Sequence, residues 1–188
     1  PAPSATSHEA KDGSDDGRPH RARDAIHSGD TGSRRPWLDG VRVLDLTNVI
    51  AGPTIGAMLA RFGADVIKVD PVTPTYSPDV TVVYGLAANV GTRSILLDIN
   101  DDVGGGRAAF EALVKRSDVV LANSTAASLE RLRCAPSDLA KLNSDLVLCR
   151  FDAWGGSAEG AGQRATHLGY DDNIQAALAI MERFGGGL

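Results

Sequence analysis

Two groups of residues in this sequence have types and positions suited to ligand binding or acid–base chemistry. Asn123 directly follows a predicted strand at 118–122, and Arg131 lies one short predicted helix further on. An amide and a guanidinium in this order can hold a nucleotide base and a phosphate, and a helix cap with a surface charge is the alternative. Asp171 and Asp172 begin a predicted helix, where they either complement its dipole or place a carboxylate beside an acyl group for proton transfer.

The segment 48–53 joins a predicted strand to a predicted helix. In an open parallel sheet the crevice at the carboxyl ends of the strands is the usual ligand site, and a helix N-terminus there offers free backbone N–H groups. Gly52 permits close approach of a ligand, and Pro53 presets the first helical turn. The segment lacks the G-x-G-x-x-G fingerprint of nicotinamide dinucleotides, and a simple strand-to-helix turn without a ligand is the alternative.

The sequence favours neither a metal centre nor a serine-type triad. His167 is the one histidine outside the first 36 residues, and it has no suitably spaced partner. Cys134 and Cys149 are too few and too unpatterned for a disulfide framework or a zinc cluster. They are typical of small core residues in a reducing cytosol, and we expect no metal.

The scaffold that must position these residues is predicted from the alternation of short β-branched runs with helical periods, which is typical of βαβ units. Continuous apolar runs such as 119–121 indicate strands buried on both faces. The expected fold is α/β, a Rossmann-like parallel sheet with helices on both faces. The predicted strands are residues 41–46, 64–69, 94–99, 118–122 and 145–151; the predicted helices are residues 53–62, 103–116, 126–132, 136–142 and 171–184; residues 71–78 and 155–162 are predicted loops.

Composition divides the chain of 188 residues into two parts. Residues 1–36 contain Ile26 as their only aliphatic residue larger than alanine, so we expect a disordered tail or linker there, without the apolar core of a signal peptide. Residues 37–188 are expected to form one domain. The net charge of −5 argues against nucleic acid as a partner, and the longest apolar stretch, 49–60, is too short to span a membrane. We expect a cytoplasmic protein.

Several stretches together resemble the opening of the family III coenzyme A transferases, the CaiB/BaiF family. The longest are WLDGVRVLDLT at 37–47, AGP at 51–53 and LARFGADVIKVD at 59–70. The order and spacing of the family continue through Asn89, Arg93, Ser94, Leu97, Asp98, residues 117–120, Asn123, residues 129–132, residues 169–171, Gln175 and Ala176. The resemblance covers residues 37–188 and implies the N-terminal, CoA-binding portion of such a fold.

The resemblance implies an enzyme that moves CoA from an acyl-CoA to a carboxylic acid through an acyl-aspartyl intermediate. A carboxylate attacks the thioester and forms a mixed anhydride, which divides one difficult exchange into two easier steps. Asp171 matches an acidic residue that lines the family's active site and is expected to assist. The nucleophilic aspartate is expected in a loop beyond this chain, so the chain alone is expected to be inactive. The implied CoA-binding residues are Val49, Ile50, Ala51, Leu97, Asp98, Ile99, Asn100, Asn123, Arg131 and Leu132.

Departures from the family pattern keep other functions open. Thr92 stands where the family usually has a lysine, residues 71–78 lack its Gly-Asp and arginine, and no basic residue is obvious just before Tyr170. An acyl-CoA racemase or isomerase of the same fold is one alternative, although Tyr170 occupies the position of its histidine. A non-catalytic CoA-binding or scaffold protein is another. The implied partners are an acyl-CoA, a small carboxylic acid, and either a second copy in an interlocked homodimer or a complementing C-terminal chain.

Overall fold

The computed structural model describes residues 35–155, 164 and 166–185. In these residues strands and helices alternate as the apolar pattern predicts. The strands are β1 (Arg42–Asp45), β2 (Asp65–Asp70), β3 (Arg93–Leu96), β4 (Val119–Ala122) and β5 (Val147–Arg150), and the helices are α1 (Ala51–Arg61), α2 (Pro78–Ala88), α3 (Gly106–Arg116), α4 (Ala126–Arg131), α5 (Pro136–Leu142), α6 (Asp171–Ala177) and α7 (Ile180–Gly185).

The strands form one parallel sheet in the order β3-β2-β1-β4-β5. Leu44 of β1 pairs with Ile67 of β2 on one side and with Val120 of β4 on the other. The strand order therefore reverses between β1 and β4, and a crevice opens at the carboxyl ends of strands at such a switch point.

One face of the sheet packs against α1. Val43, Val66 and Leu121 are buried there, and Ile55 and Leu59 of α1 cover them. Burying such aliphatic side chains supplies the main favourable free energy for docking the helix on the sheet.

The opposite face packs against α3, α4 and α5. Leu44 and Val120 of the sheet are fully buried in one cluster with Phe110, Leu129 and Leu139, one from each of these helices. Helices thus cover both faces of a parallel sheet, which confirms the predicted fold class.

Local hydrogen bonds explain where the boundaries of two elements differ from prediction. Helix α1 begins at Ala51 rather than at residue 53, because the Thr54 N–H already donates to the Ile50 carbonyl at 2.9 Å. Helix α3 begins at Gly106 rather than at residue 103, because the Asp101 carboxylate accepts from the backbone N–H groups before it and holds them in a turn. Acceptors on short polar side chains can thus delay a helix start.

The third strand was predicted to span residues 94–99. It ends at Leu96, and all four of its residues are exposed, because β3 is at the edge of the sheet. Burial on both faces holds for β4, from Val120 to Ala122, which lies inside the sheet. Periodicity indicates the strands but does not give their order.

The helical prediction was wrong at two places. Helix α2 was not predicted, because its apolar residues form no single stripe toward the core: Val82, Val83 and Leu86 are 59%, 77% and 76% exposed. The predicted helix 171–184 is two helices, α6 and α7, with Ala179 between them in the left-handed region at a φ of 55°.

Two sequence predictions fall mainly outside the described residues. They are the tail at 1–36, of which residues 35 and 36 are described, and the loop at 155–162, of which residue 155 is described. The domain boundary at residue 37 stays a prediction. In the described part of the chain, no helix combines the length and apolar character needed to cross a membrane.

Candidate functional site

A cavity of about 920 Å³ lies at the carboxyl ends of the strands. Its lining comes from the ends of the strands and from the loops that follow them, including Asn48 after β1 and Asn123 after β4. It therefore lies at the switch point of the sheet, and its volume is in the range of small-molecule and cofactor sites.

The loop between β1 and α1 is held in a defined shape by Asn123. The Asn123 Oδ1 accepts from the Asn48 N–H at 2.9 Å, and its Nδ2 donates to the Asn48 carbonyl at 3.0 Å. The next residue, Val49, has a φ of 69°, a conformation that a β-branched residue adopts only when its surroundings impose it. Asn123 thus fixes the loop that places Val49, Ile50 and Ala51 along the cavity.

The alternative role of Asn123 as a helix cap is excluded by the start of α4. The N-cap residue is Thr125, whose hydroxyl oxygen accepts from the Ser128 N–H at 3.3 Å. Asn123 is therefore free of the helix and bridges two strand ends instead.

A buried polar cluster lies below this loop. The Asp45 carboxylate accepts from the Thr47 N–H at 2.8 Å and from its hydroxyl at 2.5 Å. The buried Lys68 ammonium donates to the Thr47 carbonyl and pairs with Asp70 at 3.1 Å. Burial raises the pKa of Asp45 above its ordinary 3.8, although the charge of Lys68 and the Thr47 hydrogen bonds act in the opposite direction. Asp45 and Lys68 thus hold Thr47, two residues after the end of β1, through hydrogen bonds.

Two glycines let α1 approach this cluster closely. A Cβ atom at Gly52 would lie 2.2 Å from the Thr47 Cβ, and one at Gly56 would lie 2.5 Å from the Asp45 Oδ2. Larger residues at either position would displace the helix, so its first turn rests directly on the strand end.

A second wall of the cavity is the segment after β3. The Leu97 N–H donates to the Asp70 carbonyl at 2.9 Å, and the Asp98 carboxylate accepts from the Asn100 N–H at 3.0 Å. A Cβ atom at Gly106 would lie 2.1 Å from the Asp98 carbonyl oxygen, so the start of α3 is packed against this segment. Residues 97–100 are therefore fixed along the cavity.

Helix α4 carries Arg131 and is held in place by Arg107 of α3. Arg107 is only 8% exposed; its guanidinium donates to the carbonyls of Leu132 and Arg133 at 3.0 and 3.1 Å and pairs with Glu111 at 2.9 Å. It satisfies carbonyl groups that the end of α4 leaves without helical partners. The exposed Arg131 guanidinium forms no hydrogen bond or ion pair with another described residue and is available to a ligand.

The opposite wall is formed by residues distant in sequence. Tyr76 lies in the loop after β2, and Tyr170 lies just before α6. Their hydroxyl oxygens are 2.5 Å apart. This hydrogen bond, together with burial, raises the pKa of Tyr76 to about 12. Next to Tyr170, the Asp171 carboxylate accepts from the Gln175 side-chain amide at 2.6 Å. This wall presents hydroxyl and carboxylate groups to the cavity.

The cavity brings together the residues that the family resemblance implies for CoA binding and catalysis, whereas Asp172 and Gly52 do not line it. The implied residues are Val49, Ile50, Ala51, Leu97, Asp98, Ile99, Asn100, Asn123, Arg131, Leu132 and Asp171. Their assignment to CoA binding or catalysis stays a prediction, but their placement around one cavity is a property of the fold.

Comparison with protein-family models gives one family whose model covers most of the chain. The model described as CoA-transferase family III matches residues 38–187. The chain belongs to this family. Its fold, with the switch point between β1 and β4, is therefore the family III fold over the matched residues.

Curated proteins similar to this chain also carry CoA-transferase names. The CoA-transferase/lyase DddD of Marinomonas sp. (strain MWYL1) is 42% identical over 153 residues, which is 81% of this chain and 18% of that protein. The succinyl-CoA:mesaconate CoA-transferase of Haloarcula hispanica is 35% identical over 156 residues, 77% of this chain and 39% of that protein. The chain thus spans less than half the length of these relatives.

Solved structures support the same family III fold. A structure of Rv3272 from Mycobacterium tuberculosis superposes with a TM-score of 0.69 at 31% identity, covering 79% of this chain and 41% of that one. A CaiB/BaiF family protein from Brucella suis gives a TM-score of 0.66 at 33% identity, covering 79% of this chain and 40% of that one.

Three residues that line or support the cavity were not found from the sequence. Arg107 reads as an ordinary exposed helix residue, Lys68 as the polar residue of a strand, and Tyr76 as part of a loop. Their roles depend on tertiary contacts, and the sequence carries no local signal for Arg107 or Tyr76. The one available hint is a lysine inside an otherwise apolar strand, because a buried lysine needs a partner.

Proposed function

We propose that this chain forms the CoA-binding part of a family III CoA-transferase, which moves CoA from an acyl-CoA to a carboxylic acid. The observation that carries the proposal is the convergence of all the residues implied for CoA binding on one cavity at the switch point. Family membership and the CoA-transferase names of the relatives support it.

The walls of the cavity have complementary roles in this proposal. Residues 49–51 place the backbone N–H groups of the first turn of α1 along the ligand, and residues 97–100 line a second wall. Arg131 supplies a guanidinium fork for a phosphate, with the apolar Leu132 beside it. Asn123 acts mainly as a positioning residue, because both polar atoms of its amide bind the backbone of Asn48.

Asp171 assists in the proposed reaction and is not the nucleophile. The nucleophilic carboxylate attacks the thioester carbon, the C–S bond breaks, and the CoA thiolate leaves as the acyl-aspartyl anhydride forms. Asp171 lines the cavity, but its carboxylate already accepts from Gln175 at 2.6 Å, which orients it for a supporting role beside Tyr170. The resemblance assigns the nucleophile to a later loop of the family, outside the matched motifs.

We further propose that the functional protein is cytoplasmic and associates with more polypeptide, either a second copy in an interlocked dimer or a complementing C-terminal chain. Free thiols at Cys134 and Cys149 support a reducing compartment. The exposed apolar side chains of α2, Val82, Val83 and Leu86, support a covering partner.

Titration calorimetry with CoA tests the proposed binding site. We expect the chain to bind CoA and Arg131→Ala to weaken binding about ten- to one-hundredfold, as for a lost hydrogen bond between charged groups. Arg116→Ala is the matched control, since Arg116 is an exposed arginine in the last turn of α3 and does not line the cavity. Equal affinities for Arg131→Ala and Arg116→Ala would place CoA elsewhere.

A further inference from the structure

Arg150 is a charged residue of the cavity that neither the sequence motifs nor the proposed contacts account for. It is the last residue of β5, it is partly buried, and it lines the cavity. Its Nε atom is buried and has no hydrogen-bond partner among the residues that the structure describes. Its guanidinium forms no hydrogen bond or ion pair with any other described residue, and leaving such a donor unsatisfied is costly.

None of the aspartates that line the cavity forms an ion pair with Arg150 within the described part of the chain. Asp70 pairs with Lys68, and each of the others accepts a hydrogen bond elsewhere. Asp98 accepts from the Asn100 N–H, Asp152 from the Trp154 N–H, and Asp171 from Gln175. Arg150 is therefore a positively charged residue without a direct ion pair in the described wall of the cavity.

Arg150 lies on the same side of the sheet as Arg131. Residues two apart in a strand share a face, and Leu148 packs into the cluster formed with α3, α4 and α5. Arg150 also pairs in register with Ala122, which is buried in that cluster. Arg131 is on α4, which covers this face. The two arginines that line the cavity, Arg131 and Arg150, therefore lie on the same face of the sheet.

We propose that Arg150 is a second oxyanion-binding residue of the cavity, in addition to Arg131. Its ligand is a carboxylate of the acid substrate or a phosphate of CoA, so this inference rests on the proposed function. A guanidinium suits either group because its planar fork donates two parallel hydrogen bonds, which an ammonium cannot do. Binding would give the buried Nε–H the acceptor that it lacks.

Equilibrium binding of three ligands to Arg150 variants tests the inference. CoA, dephospho-CoA and succinate are titrated into the wild type, Arg150→Gln and Arg150→Lys, with Arg116→Lys as a control for a change of cation away from the cavity. Circular dichroism confirms that each variant is folded before titration. We expect about ten- to one-hundredfold weaker binding of at least one ligand to Arg150→Gln, and partial recovery in Arg150→Lys.

The pattern of the loss identifies the oxyanion. A loss for CoA but not for dephospho-CoA indicates the 3′-phosphate, an equal loss for both indicates the diphosphate, and a loss for succinate alone indicates a carboxylate. Variants that are folded and bind all three ligands like the wild type overturn the role of Arg150 while leaving CoA binding intact. A wild type that binds neither CoA nor succinate overturns the proposed function and this inference together.

Discussion

Replacing Arg107 by alanine should destabilise the fold strongly although the residue touches no predicted ligand. Its side chain is nearly buried and makes three hydrogen bonds at 2.9 to 3.1 Å, two of them to the carbonyls that follow α4. The guanidinium also lies 5.2 Å above the ring of Phe110. Since a hydrogen bond to a charged group contributes about 1.5–3 kcal/mol and such contributions are not additive, we expect a loss of about 3 kcal/mol.

Urea unfolding followed by circular dichroism measures this loss. With a typical slope of about 2 kcal/mol per molar urea, the midpoint of Arg107→Ala should fall by about 1.5 M. Arg133→Ala is the matched control, because Arg133 makes a single exposed ion pair with Asp102 at 2.8 Å and should cost less than about 1 kcal/mol. A shift for Arg107→Ala no larger than that for Arg133→Ala would refute the view that Arg107 holds α4 in place.

Two further substitutions and one mass measurement test the rest of the site. Asn123→Ala removes both bonds to Asn48 and should lower the free energy of unfolding by about 1–3 kcal/mol and weaken CoA binding; unchanged CoA affinity would show that the β1–α1 loop does not need this clamp. Because burial raises the pKa of Asp45, the wild type should lose stability relative to Asp45→Asn as the pH rises above about 4, and parallel stability curves would contradict this. Incubation of the chain with an acyl-CoA followed by intact mass measurement should show no adduct on any carboxylate, whereas a stable acyl group on Asp171 would make it the nucleophile.

Strong local patterns explain which elements the sequence predicts well. Helix α5 begins at Pro136 and ends at Leu142 as predicted, because proline marks the first turn and a short apolar period follows it. The β-branched run at β4 is similarly clear. Helix α2 was not predicted because its apolar residues face outward. The break between α6 and α7 at Ala179 was not predicted because neither glycine nor proline marks it.

The residues that line the cavity also include some with a sequence signal and some without one. The family resemblance points to Val49 and Arg131, and both line the cavity. The pairing of Tyr76 with Tyr170 joins positions 94 residues apart, and nothing local to either residue indicates it. The sequence analysis named Asn123, which lines the cavity, but its two hydrogen bonds to the backbone of Asn48 depend on β1 and β4 being neighbours in the sheet.

A crystal structure of the chain with CoA tests the central claim most directly. The account predicts CoA in the cavity at the carboxyl ends of β1 and β4, against residues 49–51 and 97–100, with a phosphate within hydrogen-bond distance of Arg131. CoA bound at another surface, with this cavity filled only by solvent, would contradict the assignment of the cavity as the CoA site.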